Sequence, residues 1–265
     1  MPIDDGHLIL EKEDVDALLA ERKENQQFIR KYAGGAELIR NKVRWCLWLS
    51  GISPKEIQKS AFVMQRIKQT AEFRKSSSRP QTLVLAETPT LFGEIRQPET
   101  DMLVIPKVSS ENRRYIPICY VSPKIIVNGS ALIVPDAGMY HFGVLISNVH
   151  MSWMRTVAGR MKSDYQYSGK VVYNNFPWPE PTEEQRRKIE QTAQAILDAR
   201  SIYEDCTLAE LYDELAMPPE LRKAHQQNDK AVMQAYGFSI KDTTESSCVA
   251  ALMKLYQQKT NDCIT

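Results

Sequence analysis

The sequence lacks the features of a membrane or secreted protein. In 265 residues no apolar run approaches the roughly 18 residues that suggest a membrane span. The first ten residues, MPIDDGHLIL, have neither the basic start nor the apolar core of a signal peptide. We therefore expect a cytoplasmic protein that contacts no membrane.

Cysteines are few and widely separated. The absence of any paired spacing argues against a zinc site and favours a reducing compartment. The thiols are predicted to be mostly buried as small hydrophobic side chains. They are Cys46, Cys119, Cys206, Cys248 and Cys263.

The usual catalytic motifs are also missing. The chain has no Gly-rich phosphate loop and no Gly-x-Ser-x-Gly elbow. His141 and His150 are nine residues apart in one predicted helix, too far round it to share a metal. Asp101, Lys107 and Glu111 could form the acidic cluster of a magnesium nuclease, but the intervening MLVIP is typical of ordinary core. We expect no catalytic residue and no metal site in this chain.

Charge, in contrast, is strongly segregated along the chain. Residues 1–27 hold 3 basic against 8 acidic side chains, a net charge of −5. Residues 28–175 hold 21 against 10, a net of +11, and residues 176–265 hold 10 against 15, again −5. A basic centre of this size is typical of a protein that binds the phosphate backbone of nucleic acid.

The first part of the chain contains two predicted helices and a strand. Residues 8–27 are acidic with helical spacing, and KVRWCLWL at 42–49 has the β-favouring aromatics of a strand. Ser53 followed by Pro54 and Glu56 resembles a capping box, which predicts a basic helix from there to the SSSRP motif.

The centre of the chain is predicted to be rich in strands. One long exception is HFGVLISNVHMSWMRTVAGRM at 141–161, which has helical spacing and is predicted to end at Gly159. The candidate strands, separated by Pro, Gly and Asn, are TLVLAE, DMLVIPKV, RRYIPICYV, KIIVNG, SALIVPD and KVVYNN.

The segment FPWPEP at 176–181 cannot continue a helix or a strand, because each proline fixes φ and lacks an N–H. Behind it, Thr182 and Thr207 each begin a predicted helix, and Gly237 ends another. The fold class is thus predicted as α+β, a mixed-sheet domain followed by an all-α C-terminal domain. The predicted divisions are an acidic connector 1–27, a recognition domain 28–181 and a helical domain 182–265.

Two stretches carry side chains suited to reading nucleic acid. In VSSENRRYIP (108–117), Arg113 and Arg114 can each make bidentate contacts with phosphate or with guanine O6 and N7. Lys162, Asp164 and Gln166 place a cation, an anion and an amide on alternate residues. The alternative for the first stretch is a solvated turn.

The order WCLWL, SSENRRYIP, NGSALIVPDAGMYHFGVLISNVHMSWMRTVAGRMKSDYQYS and VVYNNFPWP resembles one target-recognition region. It is that of the large single-chain type II restriction–modification enzymes of the MmeI-like kind and of their methyltransferase-only relatives. The resemblance extends from about Asp5 to Gly237 and implies sequence-specific recognition of double-stranded DNA, in the bacterial cytoplasm at the nucleoid.

In that family a nuclease domain, a helical spacer and an adenine-N6 methyltransferase domain precede this region. The S-adenosylmethionine motif and the Asn-Pro-Pro-Tyr motif do not occur here. The resemblance therefore implies an excised C-terminal fragment that is no enzyme and binds no cofactor itself. Its partner would be the methyltransferase domain of a parent that uses S-adenosylmethionine, and magnesium where a nuclease is fused.

The resemblance also assigns reading positions. The family reads one base pair with two side chains separated by a serine, which match Lys162, Ser163 and Asp164. Lysine has only donors and suits guanine O6 and N7, whereas aspartate has only acceptors and suits the cytosine N4 amine. We expect these two residues to read a G·C pair in one orientation. The alternative is a surface ion pair of negligible worth.

Further positions follow with a looser match. Candidate base-reading residues are Glu111, Arg113, Asn128, Ser130 and Gln166, and candidate phosphate contacts are Arg114, Lys124, Arg155, Arg160 and Lys170. A rival hypothesis is a protein-interaction module in which the acidic tail docks a partner and the basic centre is incidental. A third, a stand-alone nuclease, would require magnesium-dependent cleavage.

Overall fold

The computed structural model describes residues 1–262, which form two compact units. The first unit comprises residues 1–37, 42–100 and 122–129. Of the described residues, the second comprises 38–41, 101–121 and 130–262. Cys46, Cys119 and Cys248 are buried as expected, Cys206 is exposed, and Cys263 lies outside the described residues.

The strands form three sheets. The first unit holds the sheet β1-β3-β2-β7, in which β2 and β7 are parallel and the other neighbours antiparallel. The second unit holds two antiparallel sheets, β6-β4-β8 and β5-β10-β9. The strands are β1 Ile9–Leu10, β2 Ile29–Ala33, β3 Arg44–Leu47, β4 Met102–Pro106, β5 Val108–Ser109, β6 Cys119–Val121, β7 Ile125–Val127, β8 Ala131–Pro135, β9 Gly159–Met161 and β10 Asp164–Gln166.

Helices lie between and after these strands, and those after residue 182 form an all-helical C-terminal part. The predicted α+β class is confirmed. The α-helices are α1 Lys12–Glu21, α2 Gly35–Ile39, α3 Pro54–Ile57, α4 Ala61–Lys75, α5 Pro80–Val84, α6 Met139–Leu145, α7 Asn148–Val157, α8 Glu183–Ser201, α9 Leu208–Leu211, α10 Pro219–Ala235 and α11 Glu245–Asp262.

Local capping signals account for the helix ends that the sequence predicts correctly. Ser53 accepts the Glu56 N–H, and Thr182 makes the complete capping box with Gln185. Gly237 follows α10 with φ +70°, and the Phe238 N–H bonds the Met233 carbonyl at 2.9 Å. That bond is part of a Schellman motif, which needs the left-handed conformation that glycine adopts without strain.

Two predicted strands are helical instead. TLVLAE at 82–87 lies in α5 and a following 3-10 helix, because Pro80 supplies a favourable first helical position. KVVYNN contains a π-helix, Gly169–Tyr173, where the Trp153 indole donates to the Val172 carbonyl at 3.0 Å. A short apolar run does not by itself distinguish a strand from a buried helical turn.

Two predicted helices are interrupted. The segment 141–161 holds α6 and α7 with a break at Ser147, which caps α7 by accepting the His150 N–H, and Gly159 begins β9 rather than ending a helix. The basic helix is likewise split into α3 and α4, because Ser60 forms a second N-cap on Val63. Serine competes with the helix for backbone donors and so favours such breaks.

One buried arginine organises the first unit. Arg74 on α4 is fully buried and donates hydrogen bonds of 2.8–2.9 Å to five backbone carbonyls. Its planar guanidinium thereby fixes the N-terminal residues and the segment after α5 to one helix. The accepting carbonyls are those of Pro2, Ile3, Leu85, Thr88 and Leu91.

The second unit contains two fully buried histidines. The His150 Nε2 lies 2.8 Å from the Tyr167 hydroxyl, and burial lowers the pKa of His150 to about 3. Burial, together with Arg200 and Arg114, lowers the pKa of His225 well below its usual range. Both imidazoles are therefore neutral near pH 7.

These histidines predict a loss of stability in acid. An unfolded histidine takes up a proton near pH 6.5, whereas a folded His150 resists it down to about pH 3. The free energy of unfolding should thus fall as the pH falls below about 6.5, by up to about 1.4 kcal/mol per pH unit for each histidine. Urea unfolding of the chain at several pH values measures this slope.

The variant His150→Gln isolates the contribution of one imidazole, since glutamine can still bond the Tyr167 hydroxyl. It should show a shallower fall than the wild-type chain over the same range. His7→Gln, at a half-buried histidine of the first unit, is the matched control. Parallel stability curves for the wild type and His150→Gln would contradict the assignment.

Candidate nucleic-acid interface

A tight hairpin presents the first group of predicted reading residues. Strands β9 and β10 pair with Met161 opposite Asp164 and Arg160 opposite Tyr165, so Lys162 and Ser163 form a two-residue turn. Lys162 has φ +57°. A positive φ at the first central residue is the requirement of a type II′ hairpin turn, where glycine is preferred. A lysine adopts this conformation only at a cost in backbone strain.

Strand alternation decides which side chains of the hairpin face outward. Tyr165 is only 7% exposed and points into the core of the second unit. Asp164 and Gln166 therefore lie on the opposite face of β10, where Asp164 is half-buried and Gln166 exposed. Together with the exposed Lys162 they place donors and acceptors at the open edge of the hairpin.

Arg160 stabilises this turn from the other face. Its guanidinium lies over the Tyr165 ring, 3.8 Å from the centroid, and donates to the Ser163 carbonyl at 2.8 Å. It also pairs with Glu111 at 3.7 Å. Cation–π stacking and a charge-assisted hydrogen bond hold the turn carbonyl and the strand in one arrangement.

The loop after β5 carries the second group. Strand β5 pairs with β10, with Ser109 opposite Tyr165, so the loop leaves the sheet directly beside the hairpin. Its Arg113 is half-buried, and burial and Arg40 lower its pKa, while Asp164 and Asp213 act in the opposite direction. Arg113 thus lies within the electrostatic reach of Asp164. The neighbouring Arg114 is exposed.

Other predicted contacts lie in different surroundings. Arg155 on α7 donates to a Glu245 carboxylate oxygen at 2.6 Å and to the Arg114 carbonyl at 3.5 Å. Lys170 is exposed on the π-helix, and Ser130 accepts the Lys107 N–H through its carbonyl.

Two predicted residues belong to the first unit. Lys124 precedes β7 and is exposed, and the Asn128 N–H donates to the Ala33 carbonyl at 2.8 Å. The structure therefore brings seven predicted residues together on one three-stranded sheet and its loop. They are Glu111, Arg113, Arg114, Arg160, Lys162, Asp164 and Gln166.

Three residues near the hairpin and its loop are not predicted from the sequence. Met161 lies opposite Asp164 across the hairpin and is 50% exposed. This position beside a charged residue becomes evident only when the strand pairing is known. Arg40 and Asp213 act on the charge of Arg113 from distant parts of the chain. No local pattern reveals those two, because sequence spacing carries no information about such contacts.

Neither a metal-binding cluster nor a membrane-spanning helix occurs among the described residues. No cluster of three or more metal-binding side chains occurs among residues 1–262. Across the same residues, none of the helices has the length and apolarity required to cross a membrane. The exposed hairpin presents both hydrogen-bond donors and hydrogen-bond acceptors to solvent.

Comparisons with known proteins agree with this description. Residues 1–180 match the family model described as the MmeI target recognition domain, and residues 181–264 match the MmeI C-terminal domain. The chain therefore belongs to the MmeI family, as the resemblance in its sequence indicates. Residues 1–27 fall inside the first match, and their role as a connector stays a prediction.

Two relatives show the extent of the similarity. DNA methyltransferase A of Bacillus subtilis (strain 168) is 35% identical over 260 residues, which is 98% of this chain and 29% of that protein. The type IIL restriction-modification enzyme MmeI, solved in complex with DNA, is 44% identical with a TM-score of 0.94 over 98% of this chain. This chain spans 35% of the MmeI chain, about a third of each relative.

The geometry predicts a local effect of Arg160→Lys. Lysine keeps the charge but loses the planar stacking on Tyr165 and the directed bond to the Ser163 carbonyl. A loss of about 1 kcal/mol of local stability should accelerate amide hydrogen exchange in residues 161–166 about fivefold, with little change in the melting temperature.

Lys170→Arg is the matched control, because it exchanges two cations at an exposed position outside the hairpin. Hydrogen exchange followed by mass spectrometry or NMR compares the three proteins. Unchanged protection of the hairpin in Arg160→Lys would show that this arginine does not stabilise the turn.

Proposed function

We propose that this chain selects the DNA sequence on which a restriction–modification methyltransferase acts. One observation carries the proposal, namely the exposed Lys162–Asp164 hairpin of a chain 44% identical to MmeI, which was solved with DNA. The surrounding basic segment, net +11 over residues 28–175, supplies the attraction to phosphates.

The reading chemistry follows from donors and acceptors. The Lys162 ammonium donates to guanine O6 and N7 in the major groove, and the Asp164 carboxylate accepts from the cytosine N4 amine of the same pair. Gln166, exposed on the same face of β10 as Asp164, can pair with adenine N6 and N7. Glu111 and Arg113 extend this set from the adjacent loop, and Asn128 and Ser130 remain candidates.

The predicted phosphate contacts divide into two groups. Arg114, Lys124 and Lys170 are exposed and suited to bind the DNA backbone. Arg155 and Arg160 already have carboxylate and carbonyl partners within the protein. We assign these two chiefly to holding the surface in shape.

Catalysis in this proposal belongs to a methyltransferase domain outside the chain. That domain would bind S-adenosylmethionine and methylate adenine N6, with magnesium involved where an endonuclease is fused. The target adenine must leave the base stack to be methylated, so the recognition domain also holds a distorted duplex. Similarity to DNA methyltransferase A of Bacillus subtilis supports this assignment.

A binding experiment tests the function itself. The purified chain should select a defined motif from a library of randomised duplexes. Fluorescence anisotropy on the selected duplex should give an affinity whose logarithm falls linearly with log salt between about 50 and 200 mM, with a slope of about −0.9 for each phosphate neutralised. Absence of both selection and salt dependence would instead favour a protein-interaction module.

The double variant Lys162→Glu with Asp164→Arg tests the reading positions. It exchanges donor and acceptor, so the preferred pair should reverse from G·C to C·G. The wild-type chain should favour guanine opposite Lys162 by roughly 5- to 150-fold, the range expected for 1–3 kcal/mol per base contact. Sequencing of the duplexes selected by each protein measures the change.

Lys170→Ala is the control for this exchange, because loss of a phosphate contact weakens binding to all sequences alike. The rest of the selected motif should be the same for the double variant and the wild type. A double variant that folds and still prefers the original guanine would refute the reading assignment.

A further inference from the structure

A buried carboxylate in the C-terminal helical part fastens the loop beside the hairpin. Tyr115 belongs to that loop, directly after Arg114, and is only 2% exposed. Its hydroxyl donates to Asp229 Oδ2 on α10 at 2.7 Å. The other carboxylate oxygen, Oδ1, accepts the Asn148 N–H at 2.7 Å. One side chain thus connects the loop, the start of α7 and α10.

Burial of this carboxylate costs free energy, and its hydrogen-bond partners offset part of that cost. Asp229 is 7% exposed, and burial raises its pKa, while the hydrogen bonds from Tyr115 and Asn148 act in the opposite direction. Asn148 is the first residue of α7, so the carboxylate also meets the positive end of that helix. A buried carboxylate needs such partners, because an oxygen without a hydrogen bond would carry the full free-energy cost of its removal from water.

A second set of contacts holds the ring of the same tyrosine. The Tyr115 ring stacks on His225 with 4.1 Å between centroids and 19° between planes. His225 lies one turn before Asp229 on α10, and its Nε2 is 2.8 Å from the Tyr212 hydroxyl. That hydroxyl accepts from Arg200 Nε at 3.0 Å.

The same arginine reaches the far end of the loop. Arg200 Nη1 donates to the Ile118 carbonyl at 2.9 Å, just before β6 begins. The helices α8 and α10 therefore hold the loop both at Tyr115 and at Ile118. The exposed Glu111 and Arg114 and the half-buried Arg113 come just before Tyr115 in this loop.

We infer that Asp229 and Tyr115 are positioning residues for DNA recognition, through which the C-terminal helices aim the loop residues Glu111, Arg113 and Arg114 at the duplex. The inference rests on the proposed function and adds a role for the C-terminal domain in sequence choice. Apolar residues would join α10 to the core equally well. A hydrogen bond from a tyrosine hydroxyl to a carboxylate that is itself held by a second donor is directional. It therefore also fixes the direction of the loop at Tyr115.

The variant Tyr115→Phe tests this role in the complete chain. Phenylalanine keeps the stacking on His225 and removes the bond to Asp229. The base pair read by the loop is first identified as the one whose selection is lost in Arg113→Ala. At that pair Tyr115→Phe should reduce selectivity about 3- to 10-fold, as expected for the loss of one hydrogen bond. Selectivity at the pair assigned to Lys162 and Asp164, and the salt slope, should stay unchanged.

Thr192→Val is the matched control, because Thr192 also makes a buried hydrogen bond to α10, at 3.1 Å to Asn228 Oδ1, without touching the loop. It should lower the melting temperature comparably and leave every preference intact. Asp229→Asn serves as a second test if Tyr115→Phe folds poorly, because the asparagine amide retains an acceptor for the Asn148 N–H. It should reduce selectivity at the same base pair.

The outcomes separate the two proposals. A wild-type chain without sequence selection refutes the proposed function and this inference with it. A selective wild type refutes the inference alone under any of three results. These are an unchanged preference in both Tyr115→Phe and Asp229→Asn, a uniform loss at all pairs, or an Arg113→Ala variant that alters no pair.

Discussion

The two-residue turn between Met161 and Asp164 is the constraint on which the proposed recognition surface depends. Because side chains alternate along a strand, a turn of this length with Tyr165 buried leaves Asp164 and Gln166 on the outer face. A slip of one residue would bury the aspartate and expose the tyrosine. Arg160 secures the register, since its guanidinium stacks on Tyr165 and binds the turn carbonyl of Ser163.

The same logic extends from the hairpin into the helices. Strand β5 joins β10, so the loop that follows it begins beside the hairpin, and its direction is then set by the tyrosine–carboxylate contact with α10. One continuous hydrophobic core contains Tyr165 and Tyr115 together with Ile189 of α8 and Val232 of α10. Within the second unit the C-terminal helices therefore belong to the same hydrophobic core that supports the hairpin.

Local signals in the sequence predict a substantial part of this arrangement. The caps at Ser53 and Thr182 and the glycine at 237 depend on adjacent residues, and the structure confirms them. Lys162, Asp164 and Gln166, which alternate in the sequence, lie at one hairpin in the structure, although the sequence predicts no hairpin there. Residues 82–87 and 169–173 are predicted wrongly as strands, because tertiary contacts such as the Trp153 bond to Val172 decide their conformation. The partners of Arg160, Arg113 and Tyr115 come from distant segments, which spacing alone does not reveal.

This division between outward and inward side chains has a consequence for specificity. In the proposed function, Lys162 and Gln166 are exposed and make few demands on the core, so the bases they read can change without loss of the fold. Arg160, Tyr115 and Asp229 are different, because each makes several contacts within the protein. Replacing one of them would leave hydrogen-bonding groups of its neighbours without a partner. Sequence choice can therefore diverge among related proteins through exchange of the exposed donors and acceptors, provided that the supporting side chains keep the hairpin and the loop in the same place.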